Sequence, residues 1–527
     1  TVRCGTVRHL LLGGVVAEQA VDLALDLLLG GLDLRTLEGK ACKVLGQGDI
    51  VKRLHTLPVA ILVQTAAVGE VLVIVIFRAA VNSDGCAGSG RRRISGLGAA
   101  CCAQHQRTGA EQADRLCDNL FQNKLEIYGK RTENNSNTIM YYQDLVMKEL
   151  ESINSIPASL IDTGGLKIYT TLDKDAQKYL ENATNKYINK DSELQSSSIM
   201  MDPNTGEVLA LMGGVDYNKS QFNRATSAVR QVGSTMKPFL YYAALENGFT
   251  ASSAFISERT TFTFSGNKTY SPKNYNDRYP NKQISLGAAI SYSDNVYAVK
   301  THLFLGEDVL VDMAKRVGIS GNLEAIPSLA LGSEEISMID MVGGYACFAN
   351  EGYKVKPHFI RKVLDSKGNV IYEYNNVKEG VLNRSIVFIL NELMTSTYDT
   401  AFIDYNYPTI ISLLPDMTHK YAVKTGTTDT DVWIIGYNKN VVLGVWNGFD
   451  DNRVMSKEDS GKHKKIWVET IENYLKDTDK NTEWYDIPSN VVGVLVNPIT
   501  GNLANNTSKK KKIVYYIKGT QPTTYDK

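Results

Sequence analysis

The chain has 527 residues, room for about three domains at one per 100–200 residues. Lys+Arg and Asp+Glu each number 57, and this zero net charge argues against a nucleic-acid binder held by bulk positive charge. With 43% hydrophobic and 22% charged residues, global disorder is excluded; seven Cys with no C-x-x-C pair and seven scattered His argue against a disulfide scaffold or a structural zinc site.

Composition breaks near residue 118. Residues 1–118 hold 3 Lys, 10 Arg and six of the seven Cys, whereas residues 119–527 hold 35 Lys, 9 Arg and all 28 Tyr. Asn82 is the only Asn before Asn119. Folding physics requires no such switch. Residues 1–118 are therefore left unassigned and read as foreign to the rest, as a fusion or a misread frame would be; a small domain of odd composition is the alternative. The chain begins at Thr1, which reads as a fragment, and no basic-apolar-small signal peptide is visible. The apolar stretch 10–34 carries Glu18, Asp22, Asp26 and Asp33, so it is an amphipathic helix or no real element. Residues 59–77 contain Gln64 and Glu70, and an acid at mid-helix costs about 2.5–3.5 kcal/mol on insertion, which makes a poor membrane span.

From residue 119 the pattern is clearer. Residues 119–190 read as a linker region. Ile139, Tyr142, Val146 and Leu150 recur at helical spacing and predict a surface helix over 138–150. Gly164 and Gly165 break the chain, 166–171 reads as a strand and 173–187 as a helix. Strands at 198–201 and 207–212 flank Asp202, Pro203, Asn204, Thr205 and Gly206, a hairpin turn. A helical block with glycine breaks follows over about 234–350. Strands return at 421–425, 432–437 and 441–446, the last two joined by Asn438, Lys439 and Asn440. Strands, then helices, then strands predict an α/β sandwich in which early and late strands share one antiparallel sheet, with a helical subdomain. The main domain spans 191–478. Residues 479–527 read as a small β appendage whose basic run, Lys509 to Lys512, is taken as a solvated turn rather than a contact for an anionic polymer or lipid.

Three short patterns occur in order inside that domain. Ser234 and Lys237 form S-x-x-K, Ser293, Asp294 and Asn295 form S-x-N, and Lys424, Thr425, Gly426 and Thr427 form K-T-G-T. Each alone is cheap; the ordered trio is the signature of serine β-lactamases and penicillin-binding proteins. Gly233 precedes Ser234 and Pro238 opens a helical pattern, so Ser234 is expected at a helix start with Lys237 one turn on. A serine hydroxyl needs a base, and a lysine serves only if burial or a neighbouring cation lowers its pKa. Lys424 is the candidate cation. Ser293 is placed to bridge the two lysines and relay a proton, and Asn295 to hold a substrate amide. Lys424 is expected on an edge strand, where Gly426 lets a substrate approach the backbone. Thr425 and Thr427 hydroxyls are candidates for a substrate carboxylate. Backbone N–H groups of Ser234 and Thr427 are candidates for an oxyanion hole.

Beyond the trio, the sequence resembles a class A penicillin-binding protein, specifically its transpeptidase part. Residues 201–214 (Met-Asp-Pro-Asn-Thr-Gly-Glu-Val-Leu-Ala-Leu-Met-Gly-Gly) resemble the family's opening hairpin, and 220–226 with 230–239 its nucleophile region, Val232 standing where a Pro is common. Residues 330–333 and 344–352 resemble its helical middle, and 165–173 the linker before the domain. The resemblance implies a penicillin-binding protein/serine β-lactamase-like transpeptidase domain over 191–478. It implies a D,D-transpeptidase that cross-links peptidoglycan stem peptides through an acyl-enzyme on Ser234, binds β-lactams and needs no cofactor or metal. Wall-assembly proteins are further partners, nucleic acid is not. Membrane association on the extracytoplasmic face of a bacterial cytoplasmic membrane is expected from the family, yet no convincing anchor is seen. The family's glycosyltransferase half, marked by an E-D-x-x-F-type glutamate motif, is not found: Glu18, Glu38, Glu70 and Glu111 all lie in other settings.

Alternatives share the chemistry. A D,D-carboxypeptidase differs only in passing the acyl group to water. A serine β-lactamase would need a glutamate in an E-x-x-L-N setting; Glu379 to Asn383 matches that string but runs on into an apolar helix. A non-catalytic penicillin sensor is the third. Asp294 reads as a structural hydrogen-bonder, Trp433 and Trp446 as core, and Cys347 as a buried small residue. Tyr292 is read equally as cleft or packing.

Overall fold

The computed structural model describes residues 60–66, 71–77, 138–478 and 483–526. Apart from two short strands, the N-terminal composition break and the 10–34 stretch lie outside them. Those two strands, Ala60–Ala66 and Val71–Phe77, pair antiparallel, and the second adds to Lys167–Thr170. Among the described residues no helix is long and apolar enough to cross a membrane.

The main sheet has five strands: β1 (Gln195–Met201), β2 (Val208–Met212), β3 (Ala422–Thr427), β4 (Asp431–Tyr437) and β5 (Val442–Gly448). Their order is β3-β4-β5-β1-β2, and every neighbouring pair is antiparallel. Two sequence-local hairpins thus meet where β5 pairs with β1, Val442 opposite Met201 and Gly448 opposite Gln195. Early and late strands share one sheet, as the pattern of strands predicts. The first turn is closed by the Asp202 N–H on the Glu207 carbonyl, with Gly206 at φ +81°. The Asn438 N–H donates to the Val441 carbonyl in the other.

Both faces of this sheet are covered, so its strands read as continuous apolar runs instead of alternating ones. Along β4, Trp433, Ile435 and Tyr437 point into one core and Ile434 into the other. The second core is closed by α2 (Lys174–Tyr187), capped by the Asp173 carboxylate, and α8 (Lys462–Asp477), whose Ile466, Trp467 and Ile471 are buried. The first core holds α1 (Ile139–Ser152) and the helical subdomain: α3 (Lys237–Glu246), α4 (Leu286–Tyr292), α5 (Asn295–Leu305), α6 (Met338–Ala349) and α7 (Arg384–Met394).

The expected surface helix, α1, is in fact a core element. Tyr141, Tyr142, Val146 and Leu150 are wholly buried, and Tyr142 Oη donates to the Val208 carbonyl of β2 at 2.9 Å. The charged residues between them, Asp144 and Lys148, are exposed as a surface helix requires, but the apolar face is buried and its tyrosine hydroxyls find buried partners. Gly164 and Gly165 do break the chain, both at positive φ. Within the expected helical block, short strands Ala254–Ser257 and Lys282–Ser285 pair with each other.

The C-terminal piece is a hairpin of Val491–Val496 and Lys512–Ile517. Its basic run splits by alternation along the chain. Lys509 and Lys511 are exposed, while Lys510 faces Asp404 at 3.8 Å and Lys512 is bonded to Asp399. Half of the run is therefore an internal clamp, not a solvated turn. Trp433, Trp446 and Cys347 are buried as expected, and burial pushes the Cys347 thiol up to about 12.

Candidate active site

Ser234 lies in a tight 3-10 turn, Gly233–Met236, and α3 begins only at Lys237. The expected helix start is thus one turn later than the spacing suggests. The turn is wedged between two backbones. Gly233 has φ +55°, and a Cβ there would come within 2.9 Å of the Thr427 nitrogen. A Cβ on Gly332 would lie 2.0 Å from the Gly233 carbonyl oxygen. The Gly233 N–H donates to the Gly332 carbonyl at 3.0 Å, and Tyr345 Oη of α6 donates to the Thr235 carbonyl at 2.7 Å.

Gly426 also has a packing role. A Cβ there would meet the Val232 carbonyl at 2.3 Å and Thr235 Cγ2 at 3.1 Å. The missing side chain makes room for the 3-10 turn, so β3 can pack against the segment that carries Ser234.

The three motifs converge on two buried lysines. Lys237 Nζ donates to the Ser293 carbonyl (2.7 Å), Asn295 Oδ1 (2.7 Å), Ser293 Oγ (3.2 Å) and the Asp294 carbonyl (3.2 Å). Lys424 Nζ donates to the same Ser293 Oγ at 2.9 Å and to the Thr425 carbonyl at 2.8 Å. Ser293 Oγ therefore stands between the two amines. Burial lowers Lys237 to about 7, the nearby Asp294 charge opposing it. Burial also drives Lys424 well below its ordinary value, helped by the charges of Lys237 and Lys464. Of the two causes that sequence reasoning allowed, burial is the larger at both lysines. Lys464, itself lowered by burial, donates to the Thr409 carbonyl at 3.0 Å.

Lys424 sits on the edge strand, as expected. The Thr428 N–H donates to the Asp431 carbonyl at 2.9 Å, and bonding alternates along an antiparallel pair. Val423, Thr425 and Thr427 therefore turn their backbone groups to the free edge. Thr397 Oγ1 takes up the Val423 carbonyl there at 3.2 Å. The exposed Thr427 presents its N–H beside Gly233 and Ser234. Thr425 is buried, and its side chain shares a strand face with that of Thr427.

The S-x-N turn joins α4 to α5. Ser293 has φ +56° and ψ 44°, the left-handed region that a serine rarely takes. Asp294 caps α5 by accepting from the Tyr297 N–H at 2.8 Å. Its other oxygen accepts from Ser257 Oγ (2.5 Å), Asn274 Nδ2 (2.7 Å) and Tyr405 Oη (3.2 Å). Asn295 spends Oδ1 on Lys237 and Nδ2 on the Lys273 carbonyl at 2.6 Å. Both ends of its amide are thus engaged, one of them on the lysine. Tyr292 packs: it stacks edge-on against Tyr405 at 4.8 Å and bonds the Phe402 carbonyl. Sequence reasoning missed Ser257, Asn274 and Tyr405. A buried carboxylate requires donors, but nothing local says which distant segments supply them.

The β-lactamase-like string is taken apart by its contacts. Glu379 Oε2 pairs with Lys354 at 2.7 Å, and Asn383 caps α7 by accepting from Ser385 and Ile386 N–H groups. Among the described residues no cluster of His, Cys, Asp and Glu is arranged for a metal ion.

Residues 197–471, just over half of the chain, match the model of the penicillin binding protein transpeptidase domain, and residues 487–527 that of the penicillin-binding protein 1A C-terminal domain. The chain belongs to the class A penicillin-binding proteins. Penicillin-binding protein 2D of Bacillus subtilis (strain 168) is 40% identical over 412 residues, 78% of this chain and 59% of that protein. This penicillin-binding protein thus spans about three fifths of that relative's length. In fold it is similar to penicillin-binding protein 1A from Haemophilus influenzae (TM-score 0.66, 22% identity, covering 73% of this chain and 77% of that one). It is also similar to PonA1 from Mycobacterium tuberculosis, solved in complex with penicillin V (TM-score 0.56, 22% identity, 67% and 96%).

Proposed function

We propose that this penicillin-binding protein is a peptidoglycan D,D-transpeptidase with Ser234 as nucleophile. The observation that carries the reading is the Lys237–Ser293–Lys424 chain, two amines with lowered pKa sharing one hydroxyl, with Ser234 three residues before Lys237 in the turn that leads into α3. Lys237, neutral near pH 7, takes the Ser234 proton as Oγ attacks the carbonyl carbon of the penultimate D-Ala of a stem peptide. Backbone N–H groups of Ser234 and Thr427 receive the oxyanion. The amide C–N bond then breaks, and a proton relayed through Ser293 from Lys237 goes to the departing D-Ala amine. An acceptor amine of a neighbouring strand attacks the ester. Its proton returns by the same path to Ser234 Oγ, and an amide cross-link remains. Thr425 and Thr427 hydroxyls bind the donor's terminal carboxylate.

β-Lactams enter by the same attack, and the penicillin V complex of PonA1 supports that for the fold. The family supports a place on the extracytoplasmic face of a bacterial cytoplasmic membrane and partners in wall assembly. Intact mass after benzylpenicillin is the test. Ring opening expels nothing, so the protein gains one whole benzylpenicillin, and peptide mapping puts it on Ser234. An adduct elsewhere, or one that persists in Ser234→Ala, overturns the assignment. With a stem-peptide donor and an added amine, release of a cross-linked product separates transpeptidation from D,D-carboxypeptidation, which yields only the trimmed peptide.

A further inference from the structure

The S-x-N turn holds an uncommon backbone in a functional place, and something must over-determine it. Asn274 does. Its side chain is buried and meets five partners from three segments. Oδ1 accepts from the Asn295 N–H at 2.8 Å and from the Val296 N–H at 3.3 Å, the first two donors of α5. Nδ2 donates to Asp294 Oδ2 at 2.7 Å, Ser257 Oγ at 3.1 Å and the Arg278 carbonyl at 3.2 Å. The residue before it, Lys273, accepts from Asn295 Nδ2 through its carbonyl at 2.6 Å. The loop that follows is itself strained, with Asn276, Asp277 and Asn281 at positive φ.

We propose that Asn274 is a positioning residue of the acyl-transfer site: it clamps the left-handed Ser293 turn so that Ser293 Oγ and Asn295 Oδ1 both face Lys237. This rests on the reading of Ser234 as an acylated nucleophile. Asn274 touches none of the reacting groups and acts through Asp294 and Asn295. Its amide is used at both ends, acceptor towards α5 and donor towards Asp294. No other neutral side chain of that size supplies both. An aspartate would set two carboxylates in contact and lose the donor. The arrangement has one chemically sensible exchange, Asn274→Asp together with Asp294→Asn. The carboxylate then accepts from the α5 N–H groups and the amide donates back across the same gap, while the amide oxygen at position 294 still caps α5; of the original bonds only the long one to the Arg278 carbonyl loses its donor.

The experiment is stopped-flow acylation of the protein by a fluorescent penicillin, separating the dissociation constant from the first-order acylation rate, with thermal melting alongside. Asn274→Ala is expected to lower the acylation rate of the molecules that react by about tenfold or more. Simple loss of folded protein would lower the reacting amplitude and leave that rate alone. Asn274→Asp is expected to be as slow, and the exchange Asn274→Asp with Asp294→Asn to recover the rate to within about threefold of the parent. An Asn274→Ala protein that melts normally and acylates at the parent rate overturns the inference. So does a folded exchange variant no faster than Asn274→Asp, which decides the matter even if Asn274→Ala does not fold. Failure of the parent protein to be acylated at all refutes the reading beneath and not the clamp.

Discussion

Burial of two amines around one hydroxyl sets the chemistry at the scale of single residues. Lys237 is lowered to about 7 because water is excluded from it, so it is the protonated form that is disfavoured. The sign follows: below pH 7 the amine holds a proton and cannot take one from Ser234. The acylation rate by a β-lactam is expected to rise about tenfold per pH unit up to about 7 and then level. A rate flat from acid to neutral pH would remove Lys237 as the base. Lys237→Arg keeps the charge and cannot lose it, so no acylation is expected from it at any of these pH values. These residues were legible in sequence because each motif is a string of neighbours that the chain holds together locally. Asn274, Ser257 and Tyr405 were not, since their importance exists only once three remote segments fold onto Asp294.

At the scale of elements, the contact between the 3-10 turn and β3 matters most. Gly426 stands there because the Val232 carbonyl takes the space of its Cβ. Gly426→Ala is expected to cost about 1–3 kcal/mol of stability by overpacking, read in urea unfolding. It should also slow acylation about a hundredfold by displacing Ser234. Loss of stability with an unchanged rate would show that the turn moves without consequence for the nucleophile. The strands of the sheet were readable from their apolar runs and their turn residues, Asp202 to Gly206 and Asn438 to Asn440. Helix α1 misled because Asp144 and Lys148 give it one exposed charged face, and spacing does not tell how deeply the other face sinks; Tyr141 and Tyr142 reach the Ser220 and Val208 carbonyls there. The late start of α3 was equally hidden: helical spacing cannot distinguish a 3-10 turn from the first turn of an α-helix.

Across the whole molecule, the C-terminal hairpin is stitched to the elements that carry the S-x-N turn. Ser285 caps α4, whose far end is Ser293. The same Ser285 hydroxyl donates to the Pro498 carbonyl at 2.6 Å, and its N–H to the Ile499 carbonyl at 2.8 Å. Ser252 Oγ donates to the Gly501 carbonyl at 2.5 Å, and Lys512 reaches Asp399 on the loop leading to Tyr405. Ser285→Ala removes a helix cap and leaves the Pro498 carbonyl without this donor, an expected loss of about 1–2 kcal/mol in urea unfolding. An unchanged midpoint would make the hairpin a passenger on the catalytic domain. The covered faces of the main sheet leave β3 as its accessible rim, and a bare rim invites other chains to add themselves. Here the invitation is almost withdrawn: Thr397 occupies the Val423 carbonyl, Lys424 folds its amine onto the Thr425 carbonyl, and Thr427 keeps its N–H outward. Lys424 thus also guards the edge: with Thr397 it takes up the backbone acceptors that another strand would need in order to pair there.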